Sequence, residues 1–458
     1  MIRDRSFYKA ILRISLPSAL QALISFLVVV ADNIMVSRMP GDGTLQAAAQ
    51  AAVAQINSVT AFFTATILGF AGGSSVLIAQ YWGRRDTARI KRVFAIVMWI
   101  NLILTAVFLL LALLIPGRLT ALVVKTGASD VTDFARQYLA IICFSYIPYA
   151  ICYTLVAMLR AVEVVRMTVY TTVASLVVNV SLNYLLIFGR LGFPAMGVRG
   201  AAIATVISRV VELGIVWYYA FYRQKVIGIR PRDLLRLDGE LLRDYIHYGV
   251  PVGITDAQWA LVGFFKAMIV GQLAKEFMAA NAITTDMMNL GTMFTFALAG
   301  GASVVVGKAV GAQEYDKARE YSRTIQIMFA AIGVVMALVV YLLSKPFTSL
   351  YGSTSDPAVG NLALTMIAIG AVTLLGTSYH ASCFVGINRG AGDSRFVALV
   401  DMICGWLIVL PATYLAALVF HAPLPIVFLM TRVDQCFKWI IAFFRLRGNQ
   451  WIKNVTRG

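Results

Sequence analysis

Charged residues are scarce in this chain of 458 residues. Asp, Glu, Lys and Arg make up 13% of it, whereas apolar residues make up 60%. The mean hydropathy is +0.79. Because an average soluble domain is about one-quarter charged, this composition excludes an ordinary soluble protein and predicts a polytopic membrane protein.

Cysteine and histidine are also rare, with five cysteines and three histidines. The cysteines form no CxxC pair and lie in apolar stretches, so we interpret them as small packing residues rather than as a disulfide framework or a metal site. HExxH, GxSxG and a Cys/His cluster are missing from the sequence, as are paired intramembrane aspartates in a catalytic motif. We therefore expect no enzyme activity, no metal and no organic cofactor.

Twelve hydrophobic runs are long enough to cross a bilayer core of ~30 Å. They are residues 15–37, 51–80, 93–115, 134–157, 168–188, 201–222, 248–273, 281–307, 324–343, 361–386, 397–419 and 424–444. The first run follows the basic start MIRDR but is too long for a signal peptide, so we expect an uncleaved helix. The sequence thus predicts an all-α membrane protein with twelve transmembrane helices.

The basic residues are distributed unequally between the two sides of this layout. With the amino terminus in the cytoplasm, 27 of the 39 Lys and Arg residues lie on the inner side and 8 on the outer side. This positive-inside pattern predicts an inner-membrane protein with both termini in the cytoplasm. We expect the net charge of +17 to attract anionic membrane lipid. We expect no binding of nucleic acid.

The two halves of the chain resemble each other. AGGSSVLIAQYWG, ending at Gly83, matches AGGASVVVGKAVG, ending at Gly311, and Pro17 matches Pro251. Because six spans separate the copies and six is even, the repeats are predicted to be parallel, related by an axis along the membrane normal. We predict two six-helix lobes, residues 1–222 and 248–458, related by a pseudo-two-fold axis and joined by a cytoplasmic linker, 223–247.

One acid, Asp32, lies near the outer end of the first span. A charge at membrane depth costs roughly 2.5–3.5 kcal/mol, so Asp32 is expected to face protein or water. Ser18, Gln21 and Ser25 fall within ~40° of it around a helix, which makes a polar stripe. Asp32 is either a structural acid near the interface or a proton or cation site, and we favour the second interpretation.

Span 5 carries Asn179 and Asn183, whose spacing of four places both on one helix face. Two amides there could hydrogen-bond Asp32. They could equally serve only to hold neighbouring helices together, which is common in membranes. The sequence leaves these two interpretations open.

Span 7 carries Asp256, Trp259 and Lys266 within an arc of ~80°. Lys266 stands at the repeat position of Asp32, so the two lobes present opposite charges at equivalent places. Lys266 either lines a cavity or extends to the outer surface. We assign Asp256, Trp259 and Lys266 to a substrate-binding surface.

Span 8 adds Asp286, Asn289 and Met293 at spacings of three and four. Methionine suits a site that accepts varied shapes, although a methionine-rich stripe is more often core. We predict that these three residues, with Gln21 and Met35 of the first span, also bind substrate.

The remaining intramembrane charges are interpreted as structural. Arg209 and Glu212 are three residues apart and could neutralise each other. Arg432, with Asp434 and Gln435, looks like the duplicated site in span 12, and we favour structural pairing there too. Asp401 lies about one turn from the inner end of span 11, so we favour an interfacial role over a coupling role.

Several motifs occur in a characteristic order along the chain. They are DNIMVSR in span 1, GGSSVLIAQYWG closing span 2, NVSLNYLLIFG and GVRGAAIAT around spans 5 and 6, and RGAGDSR and GWLIVLPATYL at span 11. The chain resembles the multidrug and toxic compound extrusion (MATE) family of efflux transporters over nearly its whole length. The resemblance implies export of small amphipathic, often cationic compounds by alternating access, driven by inward flow of H⁺ or Na⁺. We expect a monomer.

By this resemblance, Asp32 falls on the family's first-span coupling acid, and Asn179 and Asn183 fall on a pair in span 5. One branch of the family often has aspartate where this chain has Asn183. The resemblance therefore implies that Asp32 titrates nearly alone.

Another branch of the family carries acids in spans 7 and 10, at positions that correspond to Trp259 and Ser378 here. The resemblance therefore implies no second-lobe Na⁺ site of that type, unless Asp256 or Asp286 substitutes. A flippase for lipid-linked or polymeric precursors, from the same wider superfamily, is the alternative function, because Lys266 would suit an anionic headgroup. An integral-membrane enzyme is the least favoured of the three.

Overall fold

The protein is described here by a computed structural model that covers residues 5–36, 38–40, 42–117, 119, 129–350 and 357–456. These residues form helices joined by turns and short loops, and they contain no β-strand. The predicted all-α fold is therefore confirmed.

The amino-terminal half consists of long apolar helices. They are α1 (Arg5–Val36), α2 (Gly43–Gly83), α3 (Thr87–Leu114), α4 (Ser129–Ile142), α5 (Tyr146–Ala161), α6 (Arg166–Phe188) and α7 (Val198–Tyr218). A 3₁₀ turn, Cys143–Ser145, joins α4 to α5, and a π-helical turn, Tyr219–Arg223, ends α7.

The carboxy-terminal half begins with a short polar helix and continues with helices interrupted by π-helical segments. Its helices are α8 (Gly239–Tyr248), α9 (Val250–Val270), α10 (Lys275–Gly311), α11 (Tyr315–Leu350), α12 (Pro357–Ala381), α13 (Ser394–Met402), α14 (Leu410–Tyr414), α15 (Leu424–Met430) and α16 (Asp434–Arg447). The π-helical segments are Ser382–Asn388, Ile403–Val409 and Leu415–Val419.

Within the described residues, ten helical runs are long and apolar enough to cross a membrane. They correspond to ten of the twelve predicted spans. The other two predicted spans are also helical. One is α9, which carries Asp256 and Lys266, and the other is divided into α15 and α16 by a turn at residues 431–433. The second of these segments is divided into helices of 7 and 14 residues, and each alone is too short to cross a bilayer core.

Proline and glycine act at helix ends as their backbone chemistry requires. Pro251 stands in the first turn of α9, where its missing N–H would have no partner in any case. Gly189 ends α6 with φ of +66°, and a Cβ there would lie 2.6 Å from the backbone nitrogen of Ala195. Glycine therefore permits both the left-handed backbone and the close approach at this turn.

Residue contacts divide the chain into two compact units. One comprises Leu20–Ser74 and Thr87–Arg243, and the other comprises Met1–Ala19, Ser75–Asp86 and Asp244–Gly458. Helices α1 and α2 contribute residues to both units. The predicted lobes, residues 1–222 and 248–458, were drawn from the sequence repeat and stay a prediction.

The unit that contains Asp32 has an aromatic core. The rings of Phe63 and Tyr146 stack with centroids 4.2 Å apart, and Phe63 is completely buried. The hydroxyl oxygens of Tyr146 and Thr60 lie 3.3 Å apart. These contacts fix α2 against α5.

Candidate functional site

A chain of hydrogen bonds begins at Asp32 on α1. The side-chain amide of Asn183, on α6, donates to the Asp32 carboxylate. The same Nδ2 atom lies 3.2 Å from the side-chain oxygen of Asn179, whose own amide lies 3.4 Å from the hydroxyl of Thr205 on α7. We call these four residues the Asp32 site. These side chains join the three helices α1, α6 and α7. The sequence analysis had singled out Asp32, Asn179 and Asn183, but not Thr205.

The two α6 side chains of the Asp32 site are buried. Asn179 is 1% exposed and Asn183 is fully buried. The Oδ1 atom of Asn183 is buried without a hydrogen-bond partner among the described residues. A carboxylate and a neutral amide oxygen are the kinds of ligand that a hard monovalent cation accepts, and the carboxylate alone can accept a proton.

Arg209 and Tyr138 lie close enough to Asp32 to interact with it electrostatically. The guanidinium of Arg209 is already paired with Glu212 on the same helix, with 2.7 Å between nitrogen and oxygen. It also lies 5.4 Å from the ring centre of Tyr149. The Arg209–Glu212 pair has the geometry expected from its spacing, and the direct partner of Asp32 is Asn183.

The other two first-span residues lie in packed surroundings. Gln21 is 4% exposed, and its side-chain oxygen accepts a hydrogen bond of 3.3 Å from Arg160. Met35 packs against the aromatic and aliphatic core of the same unit. Packing accounts for both positions, and their contact with substrate stays a prediction.

The predicted residues of α9 contact three different segments. Asp256 forms an ion pair with Arg389 at 2.9 Å. The ammonium of Lys266 donates to the backbone carbonyl of Thr431 at 3.3 Å. Trp259 lies with its ring centre 4.7 Å from the ammonium of Lys438.

The third contact belongs to a buried ion triad that the sequence interpretation missed. The Nζ atom of Lys438 lies 2.6 Å from a carboxylate oxygen of Asp401 and 3.4 Å from one of Asp434. All three side chains are less than one-tenth exposed. We call Asp401, Asp434 and Lys438 the Lys438 triad. The spacing of four between Asp434 and Lys438 was the available sequence signal.

These charges have direct partners that the sequence did not indicate. Asp401 is buried, and its carboxylate lies 2.6 Å from the ammonium of Lys438. Asp434 accepts hydrogen bonds from Gln435 and Lys438, whereas Arg432 donates to the hydroxyl of Thr373 at 3.1 Å. The side chain of Lys438 is long enough to reach both Asp401 and Asp434. Lys438, rather than Arg432, is therefore the ion-pair partner of Asp434.

The predicted residues of span 8 lie on α10 with different exposures. Asn289 is exposed, whereas Asp286 and Met293 are half-buried. The neighbouring Met287 and Met288 are buried in a hydrophobic cluster. Much of this methionine stripe is therefore core. Within the described residues, no group of three or more His, Cys, Asp or Glu side chains could hold a metal ion.

The MatE family model matches the chain twice, at residues 17–185 and 251–443. The chain belongs to the MATE family. Among curated proteins, it is 22% identical to the "Uncharacterized transporter YisQ" of Bacillus subtilis, over 92% of this chain and 90% of that protein. It is 27% identical to the "Probable multidrug resistance protein NorM" of Halalkalibacterium halodurans, over 74% of each chain.

The fold also agrees with that of solved MATE structures. One is described as the outward-facing conformation of a multidrug resistance MATE family transporter of the MOP superfamily. It matches with a TM-score of 0.82 and 20% identity, over 98% of this chain and 97% of that chain. The twelve-helix fold and the multi-pass membrane location follow from this family membership. MATE proteins are membrane transporters and not enzymes.

Proposed function

We propose that this MATE protein exports small amphipathic, often cationic compounds in exchange for H⁺ or Na⁺, by alternating access. The observation that carries the proposal is the Asp32 carboxylate, which lies in the first membrane helix and is hydrogen-bonded by the buried amide of Asn183. The name of the H. halodurans relative, a probable multidrug resistance protein, supports the substrate class. We further propose that a single chain is the working unit.

Coupling follows from what a proton does to the Asp32 site. Protonation removes the negative charge of Asp32 and with it the charge-assisted hydrogen bond from Asn183. A cationic compound bound nearby then loses its counter-charge, so proton and substrate compete for the protein. A difference of only ~1.4 kcal/mol between the two states changes substrate affinity tenfold.

The decisive experiment measures drug export in proteoliposomes under imposed pH or Na⁺ gradients. Asp32→Asn imitates the protonated carboxyl permanently, so we expect a folded and inserted protein that binds cationic substrate more weakly and no longer couples. Asp316→Asn is the matched control, because the Asp316 side chain is 97% exposed. Near-wild-type gradient-driven export by Asp32→Asn would show that coupling lies elsewhere. In that case, Asp256 and Asp286 are the next acids to replace.

The same proteoliposomes separate the exporter from the flippase. Movement of a labelled lipid headgroup across the bilayer, without export of cationic dyes, supports the flippase. Stimulation by a pH gradient at constant Na⁺ supports H⁺ as the coupling ion, and stimulation by a Na⁺ gradient at constant pH supports Na⁺.

We propose that both termini and the linker at residues 223–247 are cytoplasmic. Phe193 and Leu237 are exposed residues that the predicted layout places on opposite sides of the membrane. Cysteines introduced at these two positions should react with an impermeant thiol reagent from opposite sides. Labelling of both from one side would contradict the twelve-span orientation.

A further inference from the structure

The Lys438 triad lies in the carboxy-terminal half and joins two segments that are distant in the sequence. Asp401 comes from α13, while Asp434 and Lys438 stand four residues apart on α16. Lys438 is 2% exposed and Asp434 is 2% exposed. One ammonium thus lies between two carboxylates inside the membrane-spanning part of the protein.

Aromatic rings complete the surroundings of this ammonium. The ring centre of Trp259 lies 4.7 Å from the Nζ atom, and that of Phe384 lies 5.9 Å from it. Both distances are within the range of a cation–π interaction. Two carboxylates and two ring faces form the kind of enclosure that stabilises a monovalent cation.

Stability alone does not account for this arrangement. Taking three charges out of water is costly, and a buried ion cluster is often no more stable than apolar side chains of the same volume. Two carboxylates against one ammonium also leave one negative charge in the triad. Lys266 and Arg432 lie close enough to Asp434 to interact with that charge electrostatically, and His380 lies near the triad as well.

We propose that Asp401, Asp434 and Trp259 form a monovalent-cation site in which the ammonium of Lys438 is a tethered occupant. A lysine on the chain supplies the positive charge that a dissociable Na⁺ would otherwise bring. The carboxy-terminal half then needs no free coupling cation, and ion exchange depends on the Asp32 site. This second consequence rests on the proposed function, whereas the cation site itself does not.

The test is direct binding of ²²Na⁺ to purified protein, with no transport measured. Lys438→Met keeps the unbranched side chain and removes the charge. It is made in the Asp32→Asn background, so that the Asp32 site does not contribute. We expect Lys438→Met to gain one saturable Na⁺ site per chain, and a thermal unfolding temperature that rises with NaCl but not with choline chloride.

Two further variants fix the position of the gained site. Adding Asp401→Asn to Lys438→Met should abolish Na⁺ binding, because one of the two carboxylates is lost. Lys317→Met is the matched control, since Lys317 also pairs with an acid, Glu314, but both side chains are exposed. We expect this control to bind no more Na⁺ than its parent.

Failure has a defined meaning for each variant. A folded Lys438→Met protein that gains no Na⁺ site overturns the proposal. A second result also overturns the proposal: Lys438→Met fails to fold at every Na⁺ concentration, whereas Lys438→Met combined with Asp401→Asn folds. In that case the two carboxylates cannot accept a free cation. Either result leaves the exporter proposal intact, since transport under a gradient is a separate measurement.

Discussion

The side-chain oxygen of Gln80 accepts a hydrogen bond of 2.8 Å from the backbone amide of Val455. The amide nitrogen of Gln80 lies 3.2 Å from the carbonyl oxygen of Gly390 and 3.2 Å from that of Lys453. Gln80 itself is fully buried. One side chain of α2 therefore joins the segment after Asn388 to the carboxy-terminal tail.

Gln80→Ala should destabilise the protein because it leaves a buried N–H and two carbonyl groups without their partner. Loss of a partner to a buried polar group costs about 1–3 kcal/mol per group. Thermal unfolding in detergent should show a lower midpoint than in the wild type. Gln50→Ala is the control, since Gln50 is exposed on the same helix. Equal midpoints for the two variants would contradict the role of Gln80.

Gly311→Ala tests the close approach of α10 to α2. A Cβ at Gly311 would lie 1.9 Å from the backbone oxygen of Gln80, so the backbone must move. Such overpacking typically costs about 1–3 kcal/mol. Gly300→Ala is expected to be neutral or slightly stabilising, because a Cβ there meets no atom within 4 Å and alanine favours a helix. The unfolding midpoints of the two variants give the comparison, and a stable Gly311→Ala protein would refute the packing.

Glu212→Gln should be destabilising, because it removes the buried carboxylate that pairs with the partly exposed guanidinium of Arg209. Breaking a buried pair in this way costs about 3–5 kcal/mol. The exposed pair of Glu314 and Lys317 provides the comparison, and Glu314→Gln is expected to change stability by less than about 1 kcal/mol. Expression level and unfolding midpoint measure both effects. Similar losses for the two variants would show that burial of the Glu212 carboxylate does not matter.

Asn183→Asp should increase the dependence of transport on Na⁺. It places a second carboxyl group beside Asp32, and two carboxylates at this separation cannot both ionise without a bound cation. Transport is measured in NaCl and in choline chloride at one pH. Asn361→Asp is the control, since Asn361 is exposed at the start of α12. An unchanged Na⁺ response of Asn183→Asp would argue against a cation at the Asp32 site.

Asp238 provides a test based on pH. Its carboxylate accepts a hydrogen bond of 2.8 Å from Arg92 and caps α8 through the backbone amides of Glu240 and Leu241. The hydrogen bond from Arg92 holds the pKa of Asp238 below its ordinary value. The stabilisation is therefore present at neutral pH and is lost as the pH falls through this lowered pKa.

The protection factors of the backbone amides in the first turn of α8, which are corrected for the intrinsic pH dependence of hydrogen exchange, should consequently fall in the acidic range. Asp238→Asn keeps a capping oxygen but has no charge to lose, so its exchange protection should lack this pH dependence. The same acid dependence in Asp238→Asn would assign the effect to another group.

Much of the helical layout could be predicted because long apolar runs admit few structures in a membrane. The pairing of Asn183 with Asp32 was also within reach, since a spacing of four places Asn179 and Asn183 on one face. The complete Lys438 triad could not be predicted from the sequence. Its members come from α13 and α16, and the relative register of two distant helices cannot be read from one sequence.

The turn that divides the last predicted span was missed for a similar reason. Residues 424–444 read as one apolar run, but the chain turns at 431–433, and Arg432 within this turn donates to the hydroxyl of Thr373. A hydropathy window averages this charge with its neighbours. Thr205 escaped notice because a single threonine in an apolar helix usually bonds its own backbone, as it also does here.

The presence of Asn183 where an acid could stand has an energetic consequence. The Asp32 site then carries one carboxylate, and the proposed cycle returns one proton for each molecule expelled. Exchange of a monovalent cation for a proton moves no net charge, so a pH difference of one unit, about 1.4 kcal/mol, sustains at most a tenfold concentration ratio. Expulsion of a neutral compound brings one positive charge inward and gains a further ~2.3 kcal/mol per 100 mV of membrane voltage. In the proposed cycle, the amide at this position would thus make the membrane voltage a driving force for the export of neutral compounds and not of monovalent cations.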